Sequence, residues 1–549
     1  MNNIYTFDTE TWSDGESAWV WSWALCNTEL QTIHGNGLNM LQALTSLPHG
    51  STVWVHNLEF DGEFVYWQLV RAGYSLLYDL YPRDRYHGVF DVLSDLNGII
   101  SIAIWTEGRR VILRDSFRLF RCRLEKLPKT CGFDNILVKG TMDYTTRRDP
   151  DHVATSDELA YQLADVKVLM LAMKWLQSQG AKGNTIGAVA VSEFKRSLDG
   201  VAPFVGLDLE TRQQLRSLYN GGVVHGTRWG SLIKGPGRTY DRNSMYPAEA
   251  VKPLPVELLG IAHGYEPGEG KAYHVQARGL TLTRRGFPLL ITAFTRQGRT
   301  SIPVLDKWLF NDEYEAVRRY YDGSDWHVVS TATFRYETVC TKFVNKWYKV
   351  KSEQPERRSY AKYILNNITG KFGENAIHEQ LRRFVLDDGD YYNYRYNEID
   401  SGVNNWRFMP AVAYITSNSR LALAEAAEKS GIENLLYTDT DSVHTSGFLP
   451  ADMIDEKRLG AWKVENEFDT AYYVKPKSYA EQLNGQTTAC KHAGVNDTAT
   501  LAKRDKSGKL YDSGIPISAD NLTVGAIYYT NQSRKVKGGV CIERKTKQM

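Results

Sequence analysis

Cysteine is scarce in this chain. The six cysteines among 549 residues, Cys26, Cys122, Cys131, Cys340, Cys490 and Cys541, are scattered with no C-x-x-C pair. That excludes a zinc ribbon and argues against a disulfide framework. Long apolar runs are missing as well: no stretch of roughly 18 apolar residues occurs. Met1 to Tyr5 leads into a strand-like segment without a basic-then-apolar leader. Neither membrane insertion nor secretion is expected, and a reduced cytoplasm fits best. Net charge is small, only +2, so whole-chain electrostatics announce no polyanionic partner. Internal repeats and low-complexity tracts are also lacking.

Apolar surface, in contrast, is ample. With 42% hydrophobic and 12% aromatic residues the chain can build several cores, as a multidomain globular protein does. Charge is patterned locally. Arg109, Arg110, Arg114, Arg118, Arg121, Arg123, Lys126 and Lys129 crowd one segment, and Arg534, Lys535, Lys537, Arg544, Lys545 and Lys547 crowd the C-terminus. Such patches can neutralise phosphates, although a solvated basic face is the plainer explanation of any one charge run.

Hydrophobic periodicity predicts strands at Ile4 to Thr9 and Thr52 to His56 and a helix over Asp157 to Gln179, with Ser178 to Asn184 as a linker. A β-rich interval is expected from Pro253 to Thr333, and a strongly helical one from Thr341 to Asn375. The polar, tyrosine-rich Asp387 to Asn405 reads as a hairpin or long loop. Another helix is expected over Ala411 to Ser430, then an apolar strand entering Tyr437, and short strands around Gly538 and Gly539 close the chain.

Two sets of carboxylates carry the chemistry. In Phe7-Asp8-Thr9-Glu10-Thr11 the two-residue period of a strand sends Asp8 and Glu10 to one face, where they repel unless cations neutralise them. A polar turn after the next strand offers Asp61, and Tyr161 and Asp165, four apart on a helix, share a face. Asp8, Glu10, Asp61 and Asp165 can hold two divalent cations about 4 Å apart for phosphodiester hydrolysis, with Tyr161 orienting the attacking water. Taken singly, Tyr161 is more ordinarily a core aromatic.

The second set is sharper. Tyr437-Thr438-Asp439-Thr440-Asp441-Ser442 puts two acids at the tip between apolar strands, and a plain hairpin would have Gly or Asn there. Nucleotidyl transfer needs a further carboxylate from a separate segment, which Asp241 supplies in Tyr240-Asp241-Arg242-Asn243-Ser244-Met245-Tyr246-Pro247. Backbone N-H groups after Asp241 can meet a triphosphate, and Tyr246 can sit beneath the incoming sugar to exclude a 2′ hydroxyl. Lys362 and Asn366 share a helix face, Lys362 as a phosphate ligand, and Lys349 and Lys351 can add to it. Each lysine alone would be a surface residue.

These motifs, in the order Tyr219-Asn220-Gly221-Gly222, Asp241 to Pro247, Lys362-x-x-x-Asn366, Thr416-x-x-x-Arg420, Tyr437 to Ser442 and Lys477-Ser478-Tyr479, resemble the family B DNA polymerases of the protein-primed bacteriophage type. The first carboxylate set is similar to the exonuclease motifs of proofreading polymerases. The resemblance implies a multidomain α/β and α+β fold: an RNase H-like exonuclease domain (1–184), then a right-hand polymerase. Its parts would be palm (185–252 and 409–505), fingers (338–373), thumb (506–549) and two terminal-protein-region inserts (253–337 and 374–408).

By the same resemblance Asn57, Phe60, Ser116 and Phe117 would hold a frayed primer end and Lys139 a scissile phosphate. Tyr219, Gly221 and Gly222 would hold template at the domain junction. Thr416, Arg420, Lys477, Tyr479 and Lys491 would touch DNA, and Met245 would line the nucleotide site. Relatives typically have leucine at Met245 and at Phe117, serine at Asn367 and tyrosine at Thr369. Two magnesium ions per site, or manganese in their place, are implied. So are DNA template and primer, deoxynucleoside triphosphates, a terminal priming protein and a monomeric enzyme. The rivals are a DNA-primed polymerase of the same family and a nuclease with an inactive polymerase half.

Overall fold

A computed structural model of the chain describes residues 3–77, 88–133, 142–290, 301–375, 377–385, 390–399, 402–493, 495, 498–505 and 507–548. Among them no helix is long and apolar enough to cross a membrane, and the six cysteines are unpaired.

The chain opens in a large mixed sheet. At its centre Ile4–Ser13 runs parallel to Ser51–Val55, which runs parallel to Arg109–Asp115. Alternation along the strands builds two cores. Phe7, Leu25, Val53 and Val55 face the helix Leu58–Arg71, while Thr6, Ala24 and Cys26 face the long helix Ser156–Ser178, where the Thr6 hydroxyl donates to the Val166 carbonyl at 2.7 Å. That helix starts at a capping box: Glu158 N-H donates to the Thr155 hydroxyl while Thr155 N-H donates to the Glu158 carboxylate.

The expected turn at Asp61 is instead the first turn of Leu58–Arg71. Asn57 takes a left-handed conformation at φ 72°, and the Asp115 carboxylate accepts from Asn57 N-H at 3.0 Å and Leu58 N-H at 3.3 Å. A cap supplied by a distant strand leaves no local signal in the sequence.

The second carboxylate set falls on a second, seven-stranded sheet. Its order is Gln486–His492, Ser478–Leu483, Trp462–Lys475, Leu232–Arg242, Ser442–Thr445, Leu435–Asp439 and Val224–Gly226. Helix Met409–Lys429 packs against this sheet. The stretch expected to be helical is two helices, Thr341–Glu353 and Arg358–Phe372, parted at Pro355, where the missing N-H and fixed φ break the run. The helix Ile186–Ser197 lies against both.

Residues 254–337 form a separate sheet of four strands, Leu254–His263, Tyr321–Glu337, Lys271–Leu282 and Ser301–Phe310, with helix Asn311–Tyr320 between the last and the second. The tyrosine-rich segment is a hairpin that begins earlier than expected. Its strands, Ile377–Val385 and Tyr391–Ile399, extend the first sheet through the pairing of Leu381 with Ser94. An ionic knot fastens it: Glu63 accepts two bonds from the Arg383 guanidinium (2.5 and 3.1 Å) and one from the Tyr391 hydroxyl (2.6 Å), all three buried.

The last sheet contains Leu510–Pro516, Thr500–Arg504, Ile527–Val536 and Gly539–Gln548. It therefore starts at Thr500 and not at 506, a boundary that cuts the hairpin through its Asp505 turn. Its two final strands are ten residues long rather than short. They turn at Gly538, whose φ of +88° suits glycine, and the turn docks on the N-terminal domain, with Ala18 N-H donating to the Lys537 carbonyl at 2.9 Å.

Candidate active sites

In the N-terminal domain Asp8, Glu10 and Asp165 each bring a carboxylate oxygen within 4.8 Å of the others. Asp61 is not in that group among the described residues. It is buried one layer away, its Oδ1 accepting from the Thr9 hydroxyl at 2.5 Å and Thr9 N-H at 3.2 Å. Burial pushes its carboxyl up to about 6, against the Thr9 bonds and helped by the Asp115 charge.

A cleft of about 540 Å³ opens over the trio, lined also by Asn57, Phe60, Tyr144, Tyr161 and, from the C-terminal hairpin, Val540 to Ile542. Sequence reasoning missed Tyr144. Its hydroxyl lies 3.1 Å from that of Tyr161, and burial and the Glu10 charge hold its phenol well above the usual range. Phe117 is half-buried, edge-on to His56, and lines a different cleft with Phe120, Arg121 and Tyr363.

The hydroxyl of Ser116, expected on a primer strand, is fully buried: it donates to the Val55 carbonyl at 3.0 Å and lies 3.0 Å from His56 Nδ1. Its part is to fix the turn, and the DNA contact is withdrawn. Lys139 lies outside the described residues.

The second site is set by strand register. Asp241 and Asp439 both pair with Ser442, from opposite sides, so the pleat sends their side chains to one face. Asp441 closes on them from the turn, where its carbonyl accepts Arg242 N-H at 2.9 Å. The crowding is visible in acidity. Burial, then the charges of Asp241 and Asp439, push the Asp441 carboxyl up to about 6, while Lys362 and Lys477 pull it down.

Cations ring these acids. Lys463 Nζ is 3.0 Å from Asp241, Lys477 Nζ is 2.5 Å from Asp439, and Lys351 Nζ donates to the Ser244 hydroxyl at 2.5 Å. Burial and the neighbouring Arg358, Lys362 and Lys463 draw the Lys351 ammonium down to about 8. Lys362 and Asn366 are exposed on the same helix face. Arg358 and Lys463 escaped sequence reasoning. The first is four residues before Lys362 and so was findable on the same face; the second reaches Asp241 only through the pairing of two distant strands.

Several expected contacts are corrected. Lys349, 72% exposed and beside Glu353, points away from the cluster, because two residues along a helix turn a side chain well round the axis. Met245 is buried in the core with Tyr240 and Val443 and cannot line a nucleotide. Thr369, where relatives have tyrosine, is also buried, its hydroxyl donating to the Asn366 carbonyl at 3.0 Å.

Thr416 donates to the Ala413 carbonyl from within the core. Arg420, 1% exposed, holds Glu313 through Nε and a terminal nitrogen (2.9 and 2.6 Å) and donates to the Asn220 and Gly221 carbonyls. Neither can touch DNA. Arg420→Met leaves a buried Glu313 uncompensated, and should cost ~3–5 kcal/mol of stability; a melting curve within a degree or so of the unsubstituted chain would rule that out.

Tyr246 is half-buried, its phenol pushed up to about 12 by burial and then by the Asp441 charge and Tyr219. Lys477 and Lys491 are exposed, while Tyr479 is largely buried among Tyr437, His444 and Tyr473. Gly222 fits under the catalytic turn because it has no side chain: a Cβ there would stand 2.9 Å from Thr440 Cα.

Residues 128–457 match the family described as DNA polymerase type B, organellar and viral. The chain belongs to the type B DNA polymerases. The expectation of a DNA-directed DNA polymerase with a 3′→5′ exonuclease stands. The "DNA polymerase" of Bacillus phage PZA is 26% identical over 508 residues, 87% of either chain, and that of Streptococcus phage Cp-1 is 24% identical over 535 residues, covering 90% of this chain and 86% of the phage protein. In fold, this polymerase is similar along its whole length to that of Bacillus phage phi29 in complex with primer-template DNA and incoming nucleotide, with a TM-score of 0.86 at 23% identity.

Proposed function

We propose that this polymerase starts phage DNA synthesis on a priming protein and extends it with strand displacement, using Asp241, Asp439 and Asp441 for synthesis and Asp8, Glu10, Asp61 and Asp165 for proofreading. The observation that carries the assignment is the convergence of three carboxylates inside a ring of lysines at the second site. Their mutual repulsion, which raises the Asp441 carboxyl, is what a divalent cation relieves. The donor set fits magnesium, all oxygen and anionic, and so does the trio of the first site.

Asp241 and Asp441 would hold two ions, with Asp439 as electrostatic support. When bound, such ions lower the pKa of the attacking hydroxyl and neutralise charge on the triphosphate. The rest falls to the chain. Lys351, Arg358 and Lys362 receive the triphosphate, and Lys463 gives up Asp241 for it. Tyr246 stands beside Asp441 as the sugar's floor. Lys477, exposed next to Asp439, meets the primer strand, with Tyr219 and Gly221 on the template and Lys491 further along the duplex. At the first site Tyr161 and Tyr144 orient water, and Asn57 and Phe60 receive the unpaired 3′ end.

Protons compete with the ions for Asp441. The magnesium concentration for half-maximal extension should therefore rise as pH falls through about 6. A value that stays flat from about pH 8 to about pH 5.5 would contradict the shift.

Two long intervals between motifs, one forming the separate sheet of residues 254–337 and the other the hairpin 377–399, support protein priming. The test supplies the enzyme with labelled deoxyadenosine triphosphate and any small protein that a gene beside its own encodes. Covalent labelling of that protein, dependent on Asp441, is expected. Extension of DNA primers without any labelling would leave the DNA-primed alternative.

A further inference from the structure

We propose that Lys307, on the strand Ser301–Phe310 of the separate sheet, is a positioning residue for the polymerase site, acting through Asn220 on the backbone that carries Asp439 and Asp441. The proposal rests on the assignment of synthesis to those carboxylates.

The path is short, a hydrogen bond at each end and the backbone of residues 220–223 between them. Lys307 Nζ donates to Asn220 Oδ1. The other end of the same carboxamide is engaged as well: Asn220 Nδ2 donates to the Ser217 and Leu218 carbonyls, 3.2 Å each. Beside this, Trp308 N-H donates to the Ser217 hydroxyl at 2.9 Å, so the strand grips the loop at two adjacent residues. Arg420 binds the Asn220 and Gly221 carbonyls at 2.9 and 3.1 Å, itself anchored on Glu313, which the Ser417 hydroxyl also reaches at 2.9 Å. Two cations therefore hold the loop.

Its far end bears on the chemistry. The Val223 carbonyl accepts Thr440 N-H at 2.8 Å. Thr440 stands between the two aspartates with φ 62°, a left-handed conformation that an L residue keeps only when neighbours impose it. Gly222, pressed on Thr440, allows no slack. A shift of the loop therefore moves the turn, and catalysis is steep in such shifts.

Lys307 is suited to the task by its surroundings. Burial draws its ammonium down to about 8 against the pull of Glu313, and Arg420 adds to the lowering. A cation kept there at a desolvation cost needs its acceptor, and the Asn220 carboxamide is that acceptor.

The experiment uses the full chain and the variants Lys307→Met, Asn220→Ala and the double. Single-nucleotide addition on a primer-template gives kcat and KM for the nucleotide, hydrolysis of single-stranded primer gives the second activity, and a melting curve reports folding. Lys307→Met should lower kcat for addition about tenfold with KM within about twofold, leaving hydrolysis unchanged. Asn220→Ala should do the same, and the double variant should be no worse than either single one.

Unchanged kcat in Lys307→Met overturns the proposal, as does a parallel loss of both activities or a double variant whose losses multiply. If Lys307→Met does not fold, Asn220→Ala decides alone: an unchanged kcat in it overturns the proposal. Should Asp441→Ala still extend primers, the underlying assignment fails instead, and the two failures are thereby told apart.

Discussion

Primer extension by Asp441→Ala should fall by on the order of a thousandfold, because a carboxylate that gathers the ions supplies several kcal/mol of charge stabilisation at about 1.4 kcal/mol per decade of rate. Asp441 sits on the turn beside two other acids, and removing it relieves repulsion, so the variant should fold at least as well as its parent. Hydrolysis of single-stranded primer should keep its rate, since Asp8, Glu10 and Asp165 belong to another sheet with its own core. Full extension by the purified variant would end the assignment of Asp441.

The reciprocal result is expected from Asp8→Ala combined with Asp61→Ala. Loss of one member of the trio and of the acid behind Thr9 should reduce degradation of single-stranded primer by a comparable factor, while extension in the presence of nucleotides is retained. Asp61 sharpens the experiment because its carboxylate stands outside the grouping of Asp8, Glu10 and Asp165 and is held on Thr9. If Asp8→Ala alone removes trimming and Asp61→Ala alone does not, Asp61 serves to seat Thr9 between Asp8 and Glu10. Persistent magnesium-dependent trimming by the double variant would dismiss the first set altogether.

What could be read from the sequence follows from how the chemistry is written. Contiguous letters carry their geometry with them: the strand period places Asp8 with Glu10, and a tight turn keeps the two acids of Tyr437 to Ser442 together. The helices Ser156–Ser178 and Met409–Lys429 were legible as long runs of helix-favouring residues with no glycine or proline beyond the first turn. Register between distant strands is not written locally. Lys463 against Asp241, the cap that Asp115 lends to Leu58–Arg71, and the joining of the hairpin 377–399 to a sheet begun at residue 4 all depend on it. Burial was the other hidden quantity. Arg420, Thr416, Ser116, Met245 and Thr369 carry residue types or positions that suggest contact with substrate, and the fold turns each of them inward.

The docking of the Gly538 turn on Ala18, together with the knot of Glu63, Arg383 and Tyr391, makes the chain a closed linkage. Two segments far along the sequence, one leaving the polymerase half and one ending it, are both tethered to the domain the chain starts from. Ties at these points oppose a swing of one half toward the other, so a mispaired primer end passing between the two proposed centres is expected to be the part that travels.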